Sequence, residues 1–63
     1  MEYVIKELRN KLQQHEAMVR HYIDYGKGNP EHAEISAQFE AIERNHVSAF
    51  EKAILILEKE VPA

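Results

Sequence analysis

The 63-residue chain contains no cysteine and no tryptophan, and it has only two glycines and two prolines. The lack of cysteine excludes disulfides, thiolate zinc sites and thiol nucleophiles. A chain this short seldom buries enough core to stand alone, which leaves association, or a metal held by histidines and carboxylates, to reinforce it. Basic excess is also missing: eight Lys and Arg against eleven Asp and Glu give a net charge of −3, so there is no positive field of the kind that gathers nucleic acid. No DNA-binding role is expected. The longest apolar run, Ala53 to Leu57, falls far short of a membrane span, and the start Met1-Glu2-Tyr3 has neither the cationic stretch nor the cleavage site of a signal peptide. The expected location is the cytoplasm. No glycine-rich phosphate loop, nucleophile elbow or zinc-protease helix motif is present, and Ser36 and Ser48 have no triad context. An enzyme is therefore not the expected reading.

What remains is helical periodicity. Ile5, Leu8, Leu12, His15, Val19 and Tyr22 are spaced alternately by three and four residues, which puts all six on one stripe of a helix. Glu2/Lys6, Glu7/Lys11 and Glu16/Arg20 stand four apart with the acid first, each pair contributing roughly 0.2–0.5 kcal/mol. Gly26, Gly28 and Pro30 then break the pattern. Either glycine can take the left-handed conformation that ends a helix, and Asn29-Pro30 reads as N-cap followed by first helical position. The expectation is an all-α fold: one antiparallel two-helix hairpin spanning residues 1–63, with helix 1 at about 2–25, a turn at 26–29 and helix 2 at about 30–60, assembling into a helical bundle.

The second helix carries two adjacent seams. Ile35, Phe39, Ile42, His46, Ala49, Ala53 and Ile56 form one, expected to close the hairpin with Leu12 opposite His46. Val47, Phe50, Ile54, Leu57 and Val61 form the other, expected to be the oligomer interface. Burying a large apolar side chain is worth roughly 1.5–3 kcal/mol, so a second seam left in water points to a homo-oligomer, most simply a dimer of hairpins making a four-helix bundle.

Three groupings could carry chemistry. Glu43-x-x-His46 places a carboxylate and an imidazole on one helix face, and Glu16 falls at a similar level on helix 1. His15 and His46 occupy seam positions where leucine would be ordinary, and buried polar residues of this kind set register. Near the hairpin tip, Arg20, Tyr22, Tyr25 and Lys27, with His21, combine rings that can stack on a base with cations that can neutralise a phosphate.

The runs from His15-Glu16-Ala17 to Tyr22 and from Phe39 to His46 resemble half of a ferritin-like or rubrerythrin-like protein. This resemblance implies iron or manganese bound by Glu16, Glu43 and His46 in a dimeric ferroxidase or metal-storage bundle, the alternative reading. Across the whole chain, His15-Glu16, Tyr22, the Gly26 to Pro30 turn, Ala33 and the ending from Ala53 to Lys59 are similar to small helical-hairpin proteins of bacterial phages and mobile elements. That likeness implies a stoichiometric binder without a cofactor, a phage accessory or counter-defence protein that sequesters a host protein or a small nucleotide signal.

Overall fold

The computed structural model describes residues 2–60, and Val61 of the expected interface lies outside them. Its elements are helix α1 (Glu2–Gly28), a single 3-10 turn (Pro30–His32) and helix α2 (Ala33–Glu60). The two helices pack side by side as an antiparallel hairpin, with extents of 50 × 14 × 12 Å. A ribbon one helix thick has a single internal seam and two broad faces, so anything not on the seam is left to solvent or to another molecule.

Helix α1 runs three residues beyond the expected end. Glu2 in its first turn and Lys27 in its last complement the helix dipole. Neither glycine adopts positive φ, so the expected left-handed cap does not occur. Asn29 ends the helix instead: its backbone N–H and its side-chain Nδ2 both donate to the Tyr25 carbonyl at 3.0 Å. It therefore caps α1, and it also stands at the expected N-cap position, that of the 3-10 turn leading into α2, though its side chain makes no cap bond there. Pro30 does occupy a first helical position, that of the 3-10 turn, which closes through His32 N–H to the Asn29 carbonyl at 2.8 Å.

Gly26 serves a different purpose from the expected one. A Cβ there would stand 3.3 Å from Ser36 Oγ and 3.4 Å from Ser36 Cβ. The missing side chain lets the first turns of α2 approach α1 closely, and the Ser36 hydroxyl, 3% exposed, donates to the Tyr22 carbonyl. That bond satisfies a polar group which would otherwise be costly to bury.

The stripe read on helix 1 is the one that packs: Ile5, Leu8, Leu12, His15 and Tyr22 are half-buried, and Val19 is buried. On α2 the seam that turns inward is the second, not the first as expected. Val47, Phe50 and Leu57 are half-buried and Ile54 is 6% exposed, all turned toward α1. Ile35, Phe39, Ile42 and Ile56 are 45–58% exposed, and His46 and Ala49 lie open beside them. The level of pairing also moves by three residues, because His15 rather than Leu12 lies against His46. The longer α1 accounts for the shift. The rotation of α2 follows from its polar inner residues, since Ser36 and Glu43 both find partners on α1 only when that side faces inward.

Candidate functional site

The two faces of the ribbon differ sharply in chemistry. One is charged. Arg9 and Glu58 bridge the helices at 2.7 Å, Glu40 and Arg44 pair within α2 at 2.7 Å, and Gln13, Glu16, Arg20 and Glu51 line the shallow grooves between them. Among the described residues the acid-first pair that forms within a helix is Glu40/Arg44, not Glu2/Lys6, Glu7/Lys11 or Glu16/Arg20. Such exposed pairs contribute little, from nothing to about 1 kcal/mol.

The opposite face is apolar. Ile35, Phe39, Ile42, His46, Ala49, Ala53 and Ile56 run along α2, with Ala53 half-buried at the seam's margin. Val4, Met18 and Tyr25 of α1, 37–44% exposed, share a heptad column with the exposed Lys11, and Tyr25 stands with Ile35 and Phe39. At the turn end this face deepens into a cleft of about 350 Å³ lined by His21, Tyr22, Tyr25, His32, Ile35, Ser36 and Phe39. Its rings are ordered by one another: Tyr22 stacks on Phe39 at 5.4 Å between centroids, His21 meets Tyr22 edge-on at 5.3 Å, and Tyr25 stacks on His32 at 6.1 Å. Spacings of this size are those of aromatic pairs that contribute beyond the area they bury.

Of the expected tip ligands, Tyr22 and Tyr25 come together in this cleft. Arg20 lies in the charged-face groove with Ile23 and Arg44, and Lys27 lines a groove with Ile23, Ala37 and Glu40. Neither long cation lines the cleft, although Tyr22 also borders the groove of Lys27. His32 and Phe39 join the tyrosines instead. Tyr25 and His32 are brought within stacking distance by the tightness of the turn, which is shorter than the expected 26–29 because α1 runs three residues further.

Midway along the hairpin, His15 Nδ1 pairs with Glu43 Oε2, and the same imidazole stacks on His46 at 4.9 Å and on Phe50 at 5.3 Å. His15 and Glu43 side chains are 29% and 18% exposed, so the pair is part of the seam and partly screened from water. Glu43 therefore has its partner within its own chain, on the other helix. Glu16 does not join it. It lies on the charged face near Glu51, away from the Glu43-x-x-His46 step.

Within one chain, Glu16 stands apart from the Glu43-x-x-His46 step that the alternative metal reading joins to it. Among the described residues no three His, Asp or Glu side chains gather so as to hold a metal ion. The arrangement suits a satisfied polar layer that fixes how the two helices align, since sliding either helix by one turn would strip Glu43 of its partner in a half-buried position.

No helix among the described residues is long and apolar enough to cross a membrane. In comparisons with family models, characterised proteins and solved structures, the chain matches none.

Proposed function

We propose that this chain is a non-enzymatic binding module that works as a homo-oligomer of hairpins, in its simplest form two hairpins stacked as a four-helix bundle. The observation that carries the reading is the apolar face. Four large side chains of α2, Ile35, Phe39, Ile42 and Ile56, are about half exposed along one line, while among the described residues the buried apolar side chains are Val19 and Ile54. Exposed contiguous apolar surface of this kind marks an interaction site, and covering the remaining halves of these side chains would add several kcal/mol at roughly 25 cal/mol per Å².

The partner-binding element of such a module is the tip cleft. It offers a ring-lined, mostly apolar concavity that fits an aromatic or aliphatic side chain of a protein. A nucleotide would need its phosphate neutralised, and Arg20 and Lys27 open elsewhere. This favours the protein-sequestering version of a phage accessory or counter-defence role over the nucleotide version. The module acts by occupying its target stoichiometrically, with no bond made or broken.

Sedimentation equilibrium at micromolar concentration tests the reading. A mass that is an integer multiple of 7.4 kDa, together with a helical circular dichroism spectrum, is expected. A helical species of single-chain mass would overturn it.

A further inference from the structure

The apolar face has a direction along the chain. Going from the turn toward the C-terminal end of α2, it begins with the large residues Ile35, Phe39 and Ile42, passes His46, and continues with the small Ala49 and Ala53 before Ile56. A copy of the same helix laid on it in parallel would set Phe39 near Phe39 and Ala53 near Ala53, crowding one end and leaving voids at the other. Laid antiparallel, the large half of each helix meets the small half of its partner, which is the close-packed solution.

Charge points the same way. Glu31, Gln38, Asn45, Lys52 and Lys59 recur every seven residues, forming one column that borders the apolar line, and all five are exposed. The column runs from acid through two amides to two lysines, and among the described residues neither lysine has an acidic partner within its own chain. In a parallel pair the two copies of this column would lie on opposite sides of the interface, and neither its acid nor its lysines would meet their counterparts. In an antiparallel pair centred near Asn45, Glu31 comes level with the partner copy's lysine at the far end of this column, and the amides meet in the middle, the arrangement by which flanking charges select orientation.

The surface area is of the right size. A compact monomer of this mass exposes about 4,200 Å² by the usual scaling, whereas this chain exposes 4991 Å². The excess, about 800 Å², comes from the open ribbon shape and is comparable in size to what each partner covers in a standard interface.

From the size gradient, the charge gradient and the area, we infer that two copies of this chain associate through the α2 apolar face in an antiparallel, two-fold register whose axis passes close to His46. The inference rests on the homo-oligomer reading above and adds to it the face, the direction and the count. A two-fold axis there brings the His15, Glu43 and His46 layer of each copy beside its counterpart, so the polar layer that aligns the hairpin also lies at the centre of the dimer. The tip clefts are then at opposite ends of the bundle, far apart and both free to bind.

The absence of native cysteine makes the test clean. Glu31→Cys, Asn45→Cys and Lys59→Cys, each carrying one nitroxide label, are measured by pulsed electron spin resonance beside sedimentation equilibrium of the unlabelled chain. The expected result is a two-chain mass, a distance below about 20 Å from Asn45→Cys, and roughly 40 Å from each end position, which lies fourteen residues away on either side at 1.5 Å per residue. Equal distances at all three positions would mean a parallel pair and overturn the inference. So would a two-chain mass with a distance above about 30 Å from Asn45→Cys, which would place the contact elsewhere. A trimer or larger ring overturns the inference while leaving the homo-oligomer reading intact, and a helical single-chain mass overturns both.

Discussion

The two faces of this hairpin are made from the same two helices, yet one is finished and the other is not. On the charged face, Arg9 and Glu58 tie the helices together across the seam and Glu40 holds Arg44, so its polar groups have partners or water. On the opposite face Ile35, Phe39, Ile42 and Ile56 keep about half of their apolar surface in water. The difference teaches where the free energy of this small chain has to come from. A single seam between two helices supplies a modest core, ion pairs on an open surface add little, and the unspent apolar area lies on the face that a second molecule would cover.

The largest effect is expected at the seam that both faces share. Ile54→Ala truncates the most buried apolar side chain among the described residues, and loss of about 2–5 kcal/mol should unfold the hairpin or lower its melting temperature steeply, as read by thermal circular dichroism. Both faces would be lost together. Next is a direct contrast between them. Phe39→Asp places a carboxylate on the apolar face and should weaken self-association by about 100-fold or more, whereas Leu55→Asp, at a side chain 58% exposed on the charged face, should leave the sedimentation profile unchanged. Equal effects of the two substitutions would erase the distinction between the faces.

A smaller contrast separates the two glycines. Gly28 has open space where a Cβ would sit and a helical backbone, so Gly28→Ala should stabilise by about 0.5–1 kcal/mol through lower chain entropy in the unfolded state. Gly26→Val meets Ser36 and should destabilise by about 1–3 kcal/mol, with the Ser36 to Tyr22 bond lost. Chemical denaturation of both variants checks the pair; a neutral Gly26→Val would show that close approach at the turn is dispensable. The smallest effect is expected from Arg9→Ala, which breaks an exposed bridge and should cost less than about 1 kcal/mol, with no change in association.

Much of the fold was legible in the residues. The alternation from Ile5 to Tyr22 marked the packed stripe of α1, and the Gly26 to Pro30 cluster marked the only break. The site was legible in parts. Tyr22 and Tyr25 were grouped near the hairpin tip and line one cleft there, but Arg20 and Lys27, grouped with them by sequence proximity, do not line it, since one helical turn is enough to redirect a side chain. The His15 to Glu43 pair was missed because an apolar-periodicity reading places a glutamate outside the seam. A signal was present: Ser36, Glu43, Phe50 and Leu57 recur every seven residues, and that mixed polar and apolar column is the one that faces α1.

By itself the sequence determined that there are two helices, where the chain turns, and that α2 carries more apolar surface than α1 can cover. These properties are local, set by helical periodicity, by where glycine and proline fall and by side-chain chemistry. Tertiary structure decided which seam of α2 turns inward and at what level the helices meet. The two seams are nearly matched in apolar content, so neither wins on burial alone. The choice falls to terms that exist only when both helices are present: the Ser36 hydroxyl on the Tyr22 carbonyl, Glu43 on His15, the close approach at Gly26, and the length that α1 gains by capping itself with Asn29.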